Sequence, residues 1–207
     1  MISAARPYVA SLAIAAALLL TLRFFWLGGV ALLACAALAT FFRDPERIVP
    51  EGDDLIVAPA DGRVVVVPRA SGGTGDCIAI FLSLADVHVN RSPVSGKVLA
   101  VRYTPGKFRP AWEPEAGSSN ERNTLTLEGP AGNYGVSQIA GLVARRIHCF
   151  KRPGDGVARG ERIGYIAFGS RTELTLPPGA EVAVRVGDKV RGGETVIARL
   201  PRRGGDA

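Results

Sequence analysis

Two histidines serve the whole 207-residue chain, so each is a candidate for chemistry. His88 lies in LSLADVHVNRSPVSG, behind an apolar run and ahead of a Pro-x-x-Gly turn, and residues at strand ends often line sites. His148 sits inside LVARRIHCF, in a strand-like pattern where a structural hydrogen bond is the ordinary role. Asp61, in the turn PADG, reads either as an Asx-turn residue or as a carboxylate that orients an imidazole. Gly169-Ser170 follows the run RIGYIAF and is by default a hairpin turn. It lacks the G-x-S-x-G elbow of a serine hydrolase. A Ser preceded by Gly has another use, because a residue without Cβ lets its peptide distort and lets the next hydroxyl approach its carbonyl. With a base nearby, Ser170 then attacks its own peptide bond. Cys35, Cys77 and Cys149 are odd in number and show no CxxC spacing. Together with only two His, this argues against a zinc site and a disulfide framework, and for a reducing compartment.

The elements that must position these residues fall into two blocks. Mean hydropathy is positive, +0.19, and the excess sits at the front. YVASLAIAAALLLTL precedes Arg23, FFWLGGVALLACAALATFF comes after it, and no acid occurs before Asp44. Residues 1–42 are expected to be a helical membrane anchor. It is either one span, a hairpin turning near Arg23 and Gly28-Gly29, or a segment that dips and returns; a cleaved signal peptide over 1–22 is the alternative. Arg43 and Arg47 favour the cytoplasmic side for the chain from residue 43 onward. Residues 43–207 form one domain. LIVAP, GRVVVVP, CIAIFLS, GKVLAVRY, NTLTLEG, GLVARRIHCF, RIGYIAFG, ELTLP and EVAVRV are short, rich in Val and Ile, and bounded by turn residues. Gly106–Glu121 reads as a long loop. PADGRV at 59–64 resembles PVSGKV at 93–98, and GDGVARGE at 154–161 resembles GDKVRGGE at 187–194. The expected fold class is mainly β, a compact sandwich of short strands with lipoyl/biotinyl-like quasi-repeats behind a helical anchor. No lysine turn of the kind that carries a prosthetic group is present.

The formal net charge is +6, with Arg supplying 21 of the 25 bases. The bases are scattered and lack interleaved aromatics, which argues against nucleic acid as a partner. Beside an anchor they suit an anionic membrane surface.

FFRDPER (41–47), PADGRV (59–64), DVHVNRSPVSGKV (86–98), NERNTL (120–125), GLVARRI (141–147) and GERIGYIAFGSRTELTLP (160–177) together resemble the short-form phosphatidylserine decarboxylase proenzymes, from the anchor to about residue 200. The resemblance implies self-cleavage between Gly169 and Ser170, giving a β chain 1–169 and an α chain 170–207 that stay together as a heterodimer, alone or in a higher oligomer. It further implies a pyruvoyl group made from Ser170 as the covalent cofactor, no metal, and phosphatidylserine as substrate. The substrate would lose CO2 through a Schiff base to give phosphatidylethanolamine, at the cytoplasmic face of the cell membrane. By family position His88 is the base for Ser170 and Asp61 fixes its tautomer. Where some long-form members have a second His, this chain has Arg91. Arg91 and Arg122 are candidates to hold the substrate phosphate or carboxylate, and His148 matches no family position. The rival readings are a membrane-anchored lipoyl-like adaptor without activity and a pyruvoyl decarboxylase of a soluble amino acid.

Overall fold

The structure is a computed structural model that describes residues 1–2, 5–68, 77–113, 115–143, 146–167 and 169–201. Ala144, Arg145 and Phe168, which fall inside expected strands, lie outside the described residues. The chain divides into two compact units, Met1–Glu46 and Arg47–Ala207.

The first unit is a pair of helices, α1 (Arg6–Thr21) and α2 (Phe25–Phe41). The turn falls at Arg23, which adopts a φ of 63°, and Gly28 lies inside α2 rather than at the turn. The hairpin closes at its open end, where the Ile2 N–H donates to the Phe42 carbonyl at 3.0 Å. Further along, Cys35 Sγ contacts the Val9 carbonyl at 3.5 Å. Neither helix has an acid in its first turn or a base in its last. Tyr8, Ile14, Leu18, Phe25, Trp26 and Leu33 are exposed. The helices hold 16 and 17 residues, about 25 Å each at ~1.5 Å per residue, against ~30 Å of bilayer hydrocarbon. Among the described residues no helix is long and apolar enough to cross a membrane. The single-span reading is therefore replaced by two short helices.

The second unit is built from strands. In chain order they are β1 (Leu55–Val57), β2 (Gly62–Val66), β3 (Cys77–Leu82), β4 (Val89–Arg91) and β5 (Gly96–Thr104). A single helical turn, α3 (Ala116–Ser119), interrupts the long loop. Then come β6 (Arg122–Gly129), β7 (Gly132–Ile139), β8 (Ile147–Cys149), β9 (Gly156–Val157) and β10 (Arg162–Ile166). The last are β11 (Ser170–Thr175), β12 (Glu181–Val182), β13 (Lys189–Val190) and β14 (Val196–Arg199). An antiparallel sheet in the order β13-β2-β3-β11-β7-β6-β5-β9 curls around the core. Two three-stranded sheets, β1-β14-β12 and β4-β10-β8, complete the unit. The β character comes from strict alternation. In β6, Asn123, Leu125 and Leu127 point inward, and Thr124, Thr126 and Glu128 point outward.

β7 escapes a sequence reading because Gly132, Asn133 and Gly135 dilute its strand signal. Pairing on both sides, with β6 and with β11, overrides that weakness. EVAVRV yields only the two residues of β12. The repeated turns return as matched hydrogen bonds. The Val64 N–H donates to the Asp188 carbonyl and the Val98 N–H to the Asp155 carbonyl, both at 2.9 Å. The Gly187 and Gly154 N–H groups donate in turn to the Val64 and Val98 carbonyls, both at 2.8 Å.

The core lies inside the curl. Register places Leu174 between Ile78 and Val136, with Leu125 beyond, and all four are fully buried. The neighbouring row on the same face is Ile80, Thr172, Gln138 and Asn123. The interior thus changes from apolar to polar within one row, and Ser170 lies one step further along β11 on that same face. Removing the Leu125 side chain beyond Cβ is expected to destabilise this unit by about 2–5 kcal/mol. The check is a lowered urea midpoint for Leu125→Ala, read by far-ultraviolet circular dichroism.

Candidate active site

Ser170 opens β11, with its Cα paired to Leu82 of β3, and the next residue, Arg171, is paired to Ile139 of β7. The Gly169–Ser170 peptide is therefore where an irregular segment enters a central strand. Gly169 has a φ of 69°, in the left-handed region that favours glycine, while open space surrounds the position a Cβ would take. Conformation, not room, calls for glycine there. The reverse holds at Gly141, where a Cβ would overlap the Gly169 carbonyl oxygen and sit 3.3 Å from the Ala111 Cβ. The scissile carbonyl of the expected reaction thus rests against a bare Cα.

His88 immediately precedes β4 and is buried. Its Nε2 accepts the Gly169 N–H at 3.1 Å, and its Nδ1 lies 2.9 Å from the Asp86 carbonyl oxygen. A carbonyl only accepts, so Nδ1 carries the proton and donates. Nε2 then presents its lone pair to the Gly169–Ser170 dipeptide in the neutral tautomer a general base needs. The Asp86 carbonyl is held in turn. Asp86 Oδ2 accepts from the Ser83 N–H at 2.9 Å and from the Ser83 hydroxyl at 2.6 Å, and the Asp86 N–H donates to the Ser83 carbonyl at 3.0 Å. Ser170 Oγ is buried and has no hydrogen-bond partner among the described residues. An orphaned buried hydroxyl costs about 1–3 kcal/mol.

Beneath this pair lies the polar row of the interior. Asn90 Nδ2 donates to Thr172 Oγ1 at 2.9 Å, Gln138 Nε2 donates to Asn90 Oδ1 at 2.9 Å, and Asn123 Nδ2 donates to Gln138 Oε1 at 3.2 Å. Asn90 comes two residues after His88 and Thr172 two after Ser170, and the amide chain ties β4 to β11. None of these residues stood out in the sequence. The available signal was a polar residue, Gln138, at an inward position of the alternation Tyr134, Val136, Gln138.

The remaining candidates are placed differently from expectation. The described bonds of Asp61 are those from Arg47 Nη2, at 3.0 and 2.9 Å to its two oxygens, and from the Gly192 N–H at 2.8 Å. The Asp86 carbonyl meets His88 Nδ1. The run ahead of Asp61 is tied to the segment around β4: the Val57 N–H bonds the Pro93 carbonyl at 3.0 Å and the Arg91 N–H bonds the Pro59 carbonyl at 2.8 Å. Arg91 is buried, donates to the Gly160 carbonyl at 2.9 Å, and alternates to the face opposite His88 and Asn90. Arg122 opens β6 opposite Ile139, on the sheet face away from Ser170. His148 lies on β8, stacked on Tyr165 with ring centroids 4.4 Å apart. Burial and then the Arg146 charge lower its pKa below that of a free imidazole.

On the outer face, Arg171 forms an ion pair with Glu173 at 2.7 Å under the loop 106–121. Gly117 approaches that pair, and Trp112 stands edge-on to Phe81 with centroids 5.8 Å apart. Since a methyl group at Gly141 must displace the Gly169 carbonyl, Gly141→Ala is expected to slow any scission at Gly169–Ser170 by at least about tenfold. Pulse-chase electrophoresis reads the rate, and unchanged circular dichroism would separate this local effect from misfolding.

Known proteins resemble this chain over most of its length. The phosphatidylserine decarboxylase family model matches residues 35–198. A phosphatidylserine decarboxylase proenzyme of Symbiobacterium thermophilum is 48% identical over 203 residues, covering 95% of this chain and 94% of its own. Proenzymes of the same name from Mycobacterium bovis and Mycobacterium tuberculosis are each 48% identical over 205 residues, covering 94% of this chain and 87% of theirs. With the family model spanning the catalytic unit and near half-identity over almost the full length, the chain belongs to the phosphatidylserine decarboxylase family.

Proposed function

We propose that this protein decarboxylates phosphatidylserine to phosphatidylethanolamine after cutting itself between Gly169 and Ser170. Family membership supports the reaction. The single observation that supports the self-cleavage is the buried Ser170 Oγ, unbonded among the described residues, beside an imidazole whose Nε2 lone pair faces the Gly169 amide.

The cut is an N-to-O acyl shift followed by elimination. His88 Nε2 exchanges the Gly169 N–H for the Ser170 hydroxyl and takes its proton as Oγ attacks the Gly169 carbonyl carbon. The proton passes to the Ser170 nitrogen as the C–N bond breaks, leaving an ester between Gly169 and the Ser170 side chain. Loss of the Ser170 Cα proton expels the Gly169 carboxylate and leaves a dehydroalanine, whose hydrolysis releases ammonia and a pyruvoyl terminus. Desolvation around Ser170 and the fixed tautomer of His88 favour the first step. The site fits the pyruvoyl group, since Ser170 is fully buried at the head of β11 between β3 and β7. That group supplies an electrophilic ketone and an electron sink for loss of CO2. Chains 1–169 and 170–207 remain a heterodimer because β11, on the α side of the cut, is paired with β3 and β7 of the β side.

Asp61 completes the family set. Its part is to be released from Arg47 when the imidazole takes up a proton, or to hold the Arg47–Gly192 frame beside it. Arg91 and Arg122 remain the proposed phosphate or carboxylate holders, each requiring its side chain to leave its present face. The matched turn pairs are a lipoyl-like scaffold. The apolar helices and the net positive charge suit an anionic cytoplasmic membrane leaflet.

Denaturing mass spectrometry is expected to give two fragments split before Ser170, and one intact chain for Ser170→Ala. His88→Ala should slow maturation by about 10²–10⁴-fold, the usual worth of a general base. CO2 release should occur with phosphatidylserine and not with free serine. Active wild-type protein that stays full length would refute the pyruvoyl reading.

A further inference from the structure

The buried polar row is directed as well as satisfied. Gln138 Nε2 lies 2.9 Å from Asn90 Oδ1 and 3.5 Å from the His148 carbonyl oxygen. Gly164 keeps the second approach open, since a Cβ there would overlap that carbonyl oxygen and come 2.7 Å from Gln138 Nε2. A carbonyl only accepts, so the Gln138 amide turns its nitrogen that way. Asn90 then accepts with its oxygen, and its nitrogen is left to face Thr172 Oγ1 at 2.9 Å. An amide nitrogen only donates, so the Thr172 oxygen is the acceptor and its own proton is not spent in the row. Thr172 is fully buried, and its hydroxyl has no acceptor among the described residues.

Two residues earlier on the same face of β11 stands Ser170, also fully buried, whose Oγ has no partner among the described residues. At the usual strand rise the two Cα atoms are about 6.7 Å apart. A buried donor without an acceptor and a buried oxygen without a donor thus hold successive positions of one face. In the proposed self-cleavage that oxygen collects charge. When the ester between Gly169 and the Ser170 side chain eliminates, the Cα proton goes to a base and a Cα–Cβ double bond forms. The Cβ–Oγ bond breaks with its electron pair going to Oγ, which departs as one oxygen of the Gly169 carboxylate. By then His88 has passed its proton to the Ser170 nitrogen, so Nε2 offers no donor. A hydroxyl held nearby with its proton unspent strengthens its bond to Oγ as the charge grows, which favours the transition state over the ester.

We propose that Thr172, its proton kept free by Gln138 and Asn90, donates a hydrogen bond to Ser170 Oγ during the elimination that makes the pyruvoyl terminus. This rests on the self-cleavage reading above and adds a residue to it. The full-length chain is followed by pulse-chase with and without hydroxylamine, which cleaves esters but not peptides, and the fragments are identified by denaturing mass spectrometry. Thr172→Val keeps the shape and loses the donor. It is expected to form the pyruvoyl terminus about a hundredfold more slowly, and hydroxylamine should release from it an α chain that begins with intact Ser170. Thr172→Ser restores the donor and should mature at close to the wild-type rate. Asn90→Asp leaves the hydroxyl in place, but a carboxylate only accepts and so takes the Thr172 proton for itself. It should therefore show the same hydroxylamine-labile fraction as Thr172→Val. Wild-type maturation of Thr172→Val or of Asn90→Asp overturns the proposal, as does an uncut Thr172→Val chain without a hydroxylamine-labile fraction. Should Thr172→Val lose the wild-type circular dichroism, Asn90→Asp decides by that fraction. Wild-type protein that never forms a pyruvoyl terminus would instead overturn the self-cleavage reading itself.

Discussion

The hydrogen bond from the Gly169 N–H to His88 Nε2 organises the site. It joins two points 81 residues apart in the chain, and it fixes at once the tautomer of the base and the pose of the peptide. The Asp86 carbonyl has no proton to give, so Nδ1 must hold one and Nε2 must be bare. On the other side of the same residue, Gly141 leaves room for the Gly169 carbonyl. Gly169 is therefore held at its N–H by an acceptor and at its carbonyl by a neighbour without a side chain, and the Ser170 hydroxyl is left unbonded among the described residues. Each of these arrangements is poor for stability taken singly.

That arrangement depends on an interior that is polar at one end. Asn90, Thr172, Gln138 and Asn123 are buried, and each bonds another member of the row. Gln138 Nε2 also reaches toward the His148 carbonyl at 3.5 Å. A row of amides satisfied in this way specifies one register, because sliding β11 by a residue would turn Thr172 outward and bring Arg171 or Glu173 into the interior beside Asn90 and Gln138. The apolar row of Leu174, Ile78, Val136 and Leu125 supplies the stabilising burial, and the polar row supplies uniqueness next to the cut.

The two matched turn pairs explain how so many short strands hold together. Strands β9 and β13 contain two residues each and pair only with β5 and β2 among the described residues. Their place is secured by the reciprocal bonds of Val64 with Gly187 and Asp188 and of Val98 with Gly154 and Asp155. Asp188 and Asp155 also accept backbone N–H groups from Arg185 and Arg152, both at 2.8 Å, which tightens each turn by the same local chemistry. The Arg47–Asp61 pair, with Glu194 3.6 Å from Arg47, ties the first turn of one repeat to the last of the other.

Short runs rich in Val and Ile and bounded by turn residues made the β character legible from residues alone, since both signals are carried by neighbours in the chain. Composition made the apolar front block legible, and residue type singled out His88 and the Gly169-Ser170 step. The sequence could not say that the Asp86 carbonyl meets the imidazole, that Gly141 makes room for the Gly169 carbonyl, or that a weak run, Gly132–Ile139, is a central strand. Those facts arise from contacts between segments far apart in the chain, whose register is chosen by the packing of the whole curl. A main-chain carbonyl and a missing Cβ have no letter of their own in a sequence, so only the folded chain decides which of them meets the reacting atoms.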